Sequence, residues 1–144
     1  GHVGALRAQA HGAAQVGVFV AFLDRAVGIF PLGDQHEGVG GLYAPLSETL
    51  SQPDLIHVLD IPVILVVGLR LGCLNHALLT AAAIQQHGLR FAGWIGNQVD
   101  PNFQAVEDNI QTLHDRLEAP CLGILPYAPE ATTMSLASHL SLPQ

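Results

Sequence analysis

From Pro62 the chain runs through PVILVV without a polar residue and stops at Gly68. An unbroken apolar run bounded by Pro and Gly predicts a strand buried on both faces, the kind a parallel α/β sheet contains. A leucine- and alanine-rich stretch follows, with Asn75 placed as an N-cap and Gly88 as a C-terminal cap, so a helix is predicted over 75–87. The segment LRFAGWIGNQV, Leu89 to Val99, then supplies a second apolar strand over 90–97. Phe103, Val106, Ile110, Leu113 and Leu117 recur at helical spacing and predict a helix over 102–117. A third strand, 121–125 within APCLGIL, ends at Pro126-Tyr127. Strand–helix–strand–helix–strand implies right-handed crossovers and a parallel sheet. The loops 69–75, 97–101 and 126–130 then fall on one edge of that sheet, where open α/β folds place their ligands.

Upstream the pattern is weaker. Ser47 to Asp54 reads as a loop or the start of a short helix, with Ser51 or Asp54 as its cap, and Leu55–Leu59 leads on to the first strand. Residues 1–35 show little periodicity and no clear caps. A short helix around Gln15–Val27 is the best reading there, weakened by Gly17, and this segment is expected to be the least ordered part of the chain. A last short helix is expected within Thr132–Leu142.

Composition narrows the function classes. Hydrophobic residues make up 49% of the 144 and mean hydropathy is +0.37, enough for a sizeable core in one domain. Charged residues are only 12%, against about 25% in an ordinary globular domain, which suggests that a partner covers part of the surface. A net charge of −7 with no basic cluster argues against nucleic acid or an anionic membrane as partners. Val16–Leu32 is apolar, but Asp24 and Arg25 interrupt it, so it makes a poor membrane span. The chain begins with Gly, carries no signal-peptide pattern and reads as cytoplasmic. Cys73 and Cys121 read as free buried thiols of a reducing compartment. There is no lysine at all, so a GxxxxGK[ST] phosphate loop is absent from this sequence.

Several residue groups could carry chemistry, and each has a plainer reading. Glu37 stands directly before Gly38-Val39-Gly40-Gly41. Glycine amides can approach phosphates and a carboxylate beside them can hold Mg²⁺, though a tight turn alone would look the same. Gly72, Cys73 and Asn75 lie where a helix begins, a place that favours anions, or they form an ordinary cap. Asn97 either hydrogen-bonds a base or shapes the turn before Pro101. The eight histidines form no HxxxH or HExxH spacing, no CxxC zinc pattern exists, and no GxSxG elbow supports a nucleophilic triad. Glu107, Asp108, Asp115 and Glu118 read as a solvated acidic face.

Taken together, EGVGGLYAPLSE, then PVILVVGLRLGCLNHALLTAAAIQQHGLRFAGWIGNQVD, then APCLGILPY resemble dethiobiotin synthetase. The match runs from Glu37 to about Tyr127, with a looser tail to about Thr133, in spacing as well as in motifs. The resemblance implies a three-layer α/β/α P-loop-NTPase-like parallel sheet, truncated at the amino end. It also implies an ATP- and Mg²⁺-dependent ligase that closes the ureido ring of dethiobiotin from 7,8-diaminononanoate and CO₂, working as a homodimer. By matching position, Glu37 is implied as the Mg²⁺ ligand, with Gly38, Val39 and Gly40 along the phosphates. Asn97 and Gln98, and then Pro126, Tyr127 and Ala128, are implied as contacts to the adenine. Gly72, Cys73 and Asn75 are implied as the loop that closes over the diamine's carboxylate from the neighbouring subunit.

The departure from the family lies in residues 1–35, where the opening strand and GTDTxVGKT loop do not appear. The expectation is therefore a lead segment, 1–35, followed by the carboxyl-terminal part of one synthetase-like domain, 36–144, inactive on its own. Two other readings stay open: a partial nucleotide-binding α/β module, and a non-functional fragment that folds poorly.

Overall fold

The computed structural model describes residues 18–22, 42–43, 47–131, 135–136 and 138–141. Their elements are β1 (Val18–Phe22), α1 (Gln52–Leu59), β2 (Val63–Leu69), α2 (Cys73–Gln86), β3 (Phe91–Gln98), α3 (Val106–Arg116) and β4 (Cys121–Leu125). The strands form one sheet in the order β1-β2-β3-β4. β2, β3 and β4 run parallel, joined by crossovers through α2 and α3, as the alternating pattern predicts. All seven residues of β2 are buried, which accounts for its unbroken apolar sequence.

β1 corrects the expected helix around 15–27. VFVAF is rich in β-branched and aromatic residues, and it pairs antiparallel with the free edge of β2 from Val18↔Val67 to Phe22↔Val63. The rest of the lead, and with it most of the expectation of low order there, lies outside the described residues.

Each helix end has a local cause. Ser51 caps α1: its Oγ accepts the Asp54 N–H at 3.4 Å, while Asp54 Oδ2 accepts the Ser51 N–H at 3.1 Å, closing a capping box. α2 begins two residues earlier than predicted. Gly72, at φ 91°, is its N-cap, and Asn75 lies inside the first turn. Its other end is the predicted one: Gly88 at φ 66° lets the Gly88 N–H reach the Gln85 carbonyl at 3.0 Å and the Leu89 N–H reach that of Ile84 at 3.1 Å. α3 begins four residues later than predicted. Asp100 Oδ1 accepts the Asn102 N–H at 2.9 Å, which turns the chain at 100–103 before the helix can start.

The sheet has two unlike faces. On one, Leu65, Val67, Leu69 and Trp94 pack with Cys73 and Ala77 of α2 and with Leu113 and Leu117 at the end of α3. At the amino-terminal end of that face, Ile56 of α1 joins Leu42, Val63, Ala83 and Ile84. The opposite face carries Ile64, Val66, Ile95, Leu122 and Leu125, covered by Leu136 and Leu140 of the tail. In the tail, where a short helix within 132–142 is expected, residues 135–136 are helical and Leu140 then returns to the sheet as an isolated bridge.

Candidate functional site

Because β2, β3 and β4 are parallel, their carboxyl ends share an edge. Gly68 is level with Asn97, Leu69 with Gln98, and Asn97 with Leu125. The loop from Arg70, the end of β3 at Asn97-Gln98 and the loop from Pro126 therefore meet there, as the sequence predicts.

Asn97 is 6% exposed, one of few buried polar side chains in a core otherwise apolar. A side-chain amide offers a donor and an acceptor side by side. Gln98 is half-buried and joins two loops: its Oε1 accepts the Tyr127 N–H at 3.4 Å. Pro126 and Ala128 are half-buried, and Tyr127 is exposed. The Ala131 N–H donates to the Ala128 carbonyl at 3.0 Å and closes the turn that follows.

The α2 end of the site is differently built. The Cys73 thiol points into the core, 3% exposed, and lies 3.6 Å from Asn109 Oδ1. Burial pushes its pKa up, against smaller opposing effects from backbone hydrogen bonds. Its N–H donates to the Arg70 carbonyl at 3.1 Å, so both the thiol and the amide of Cys73 have partners within the fold. The first bond of the helical ladder is His76 N–H to the Gly72 carbonyl, 3.4 Å. The amides of Leu74 and Asn75 thus sit at positions for which a helix has no i−4 carbonyl. Gly72 and Asn75 are exposed, as are Leu71 (88%) and, one turn beyond Asn75, Leu79 (63%).

Glu37, Gly38, Val39 and Gly40 lie outside the described residues. Leu42 and Tyr43, a few residues on, are held at the opposite end of the sheet: Leu42 packs with Val63 and Ile84, and Tyr43 Oη lies 2.9 Å from His87 Nε2. The described structure thus gathers the loops after β2, β3 and β4. Among the described residues no group of three His, Cys, Asp or Glu side chains could hold a metal ion, and no helix is long and apolar enough to cross a membrane. Sequence reasoning gave no role to Gly123 and the tail that rests on it. The isolated Gly inside APCLGIL was the available signal.

Three parallel strands with flanking helices are consistent with the P-loop-NTPase-like α/β fold, and residues 37–135 match the AAA domain family. The chain belongs to that family. Within it, the chain is 50% identical over 137 residues to the ATP-dependent dethiobiotin synthetase BioD of Xanthomonas campestris pv. campestris, covering 92% of this chain and 61% of that protein. It is 56% identical over 108 residues to the synthetase of the same name from Xanthomonas oryzae pv. oryzae, and 52% identical over 106 residues to that of Pseudomonas aeruginosa. Those two matches cover 75% and 74% of this chain and 48% and 46% of the relatives. The resemblance to dethiobiotin synthetase is thereby borne out, and the chain spans about 61% of the length of the first of these relatives. The alignment with that relative is longer than the whole of 36–144, so it takes in part of the lead segment, which is not wholly foreign to the family.

Proposed function

We propose that this chain supplies the base-side half of an ATP-dependent dethiobiotin synthetase site. The observation that carries this reading is the buried Asn97 amide, set level with Leu125 at the shared carboxyl edge and beside the Gln98–Tyr127 bridge. A paired donor and acceptor suits adenine, whose ring edge offers an amino group beside a ring nitrogen. Asn97 and Gln98 hold one side of the base, and Pro126, Tyr127 and Ala128 hold the other. Glu37 would hold Mg²⁺, with Gly38, Val39 and Gly40 along the phosphates. In the complete site ATP would supply the γ-phosphoryl group that activates a carbamate formed from CO₂ and 7,8-diaminononanoate, leaving ADP, and Mg²⁺ would neutralise charge on the phosphates. Residues 36–144 form the carboxyl-terminal part of one synthetase-like domain, with 1–35 as its lead segment.

The start of α2 closes over the diamine's carboxylate from the neighbouring subunit, with the amides near Asn75 at the positive end of the helix dipole and Gly72 giving the turn its shape. Cys73 contributes by anchoring that turn in the core. The exposed Leu71 and Leu79 beside Asn75 fit a homodimer that buries this face. Two free thiols, one of them buried, fit a reducing cytoplasm.

The test is a fluorescence titration of the 144-residue chain with a methylanthraniloyl analogue of ATP. The analogue is expected to bind and to be displaced by ATP in preference to GTP. Asn97→Ala is expected to weaken binding about tenfold, the loss of one or two hydrogen bonds in a buried site. Equal displacement by GTP, or an Asn97→Ala affinity equal to the parent's, would overturn the reading.

A further inference from the structure

β4 is bulged. Trp94 pairs with Cys121 and Ile95 with Gly123, which leaves Leu122 as the extra residue on β4. Gly123 has a φ of 149°, which side-chain-bearing residues rarely adopt. A Cβ built on it would lie 2.0 Å from the His139 carbonyl oxygen and 3.0 Å from Leu140 Cδ2. The tail therefore rests directly on the backbone of Gly123. Leu140 bridges Gly123 in antiparallel fashion, and the Ser141 N–H donates to the Leu122 carbonyl at 2.7 Å. Leu136 and Leu140 add apolar contact with the cluster that holds Ile95, Leu122 and Leu125.

This arrangement bears on the loop that starts at Pro126. The chain leaves β4 at Leu125 and comes back to the same strand at Gly123, so the segment between is tied at both ends. Within 126–131 the fixed points are the 3.4 Å bond from the Tyr127 N–H to Gln98 and the Ala131–Ala128 turn. With so few bonds of its own, the loop depends on its tied ends to limit its conformational freedom. We propose that Gly123 is a positioning residue: the docked tail, 138–141, latches the loop Pro126–Ala128 in the shape that receives the base. This rests on the reading of that loop as a base contact.

The test uses the 144-residue chain and its Gly123→Ala and Ser141→Pro variants. Ser141→Pro removes the latch N–H at a position outside the four strands, so it carries the test if Gly123→Ala does not fold. Amide exchange across 126–131 in both variants, and at Ser141 in Gly123→Ala, is expected to quicken about tenfold or more while 63–69 and 91–98 keep their protection. Affinity for the ATP analogue is expected to fall about tenfold, and the preference for ATP over GTP to narrow, which a general loss of stability would not produce. Asn97→Ala, in contrast, should lose affinity with exchange at Ser141 unchanged. Faster exchange at Ser141 with both the loop and the ATP affinity unaltered would overturn the proposal. So would unaltered exchange across 126–131 in both variants. If the parent chain fails to bind the analogue, the base-site reading falls, and the response of 126–131 to latch release still decides whether the tail governs the loop.

Discussion

Cys73 and Asn97 were both picked out as site residues, and their surroundings give them different work. Cys73 is the first residue of α2 and buries its thiol among Leu65, Leu69 and Ala77. Burial raises its pKa above the value of 9.0 expected in an unfolded chain. A raised pKa means stability that is fully present below the unfolded value and is lost as pH rises through the folded one. Cys73→Ala should flatten that loss: urea melts between pH 8 and 10.5 should show the parent destabilised more steeply than the variant. Equal slopes would contradict the assignment. The thiol should also react slowly with a disulfide reagent at pH 8, since thiolate is the reactive form. The sequence could mark residue 73 as lying at a helix start, but a side chain's direction there depends on where the helix begins. Gly72 moved that start by two residues. Gly123 was illegible for another reason: its partner, the His139 carbonyl, lies sixteen positions away, beyond any local pattern.

Among the elements, those with strong local signals came out where the pattern put them. β2, β3 and β4 each fall within a residue of the apolar runs that predict them, because strands buried on both faces leave an unbroken record in the sequence. Helix starts were less legible. Side chains that bond their neighbours, such as Asp100 to Asn102, compete with the helix and delay it, while a left-handed glycine can begin one without a side-chain cap. β1 was misread because five apolar residues fit either a strand or part of a helix, and the choice was made by the vacant edge of β2. Ser51 and its partner Asp54 are a local signal that was read correctly. Ser51→Ala should cost about 1 kcal/mol of stability in urea melts at pH 7, the usual worth of an N-cap. No change would mean that α1 is held by the burial of Ile56 alone.

For the whole molecule, the parallel sheet and its shared edge could be read from element order, because right-handed crossovers leave little choice. The chemistry proposed for that edge comes from the family resemblance, since Asn97 alone reads more simply as a turn residue. The sequence also sets a limit on the chain's chemistry. With no lysine present, the charge that develops on a transferring phosphoryl group lacks its usual neutraliser. Losing one preorganised group of this kind costs about 10²–10³ in rate. The 144-residue chain is therefore expected to form no diamine-dependent ADP above a protein-free blank, while still binding the nucleotide. Robust dethiobiotin formation would show that another part of the chain supplies a phosphate site.

The central claim, that adenine binds at the carboxyl edge of β3 and β4, is tested most directly by mapping amide exchange with and without saturating ATP. Slower exchange is predicted in peptides that contain Gln98 and residues 126–131, with the amino-terminal turns at 87–90 and 118–120 unchanged. Protection confined to those amino-terminal turns, or no protection anywhere on the described sheet, would contradict the account.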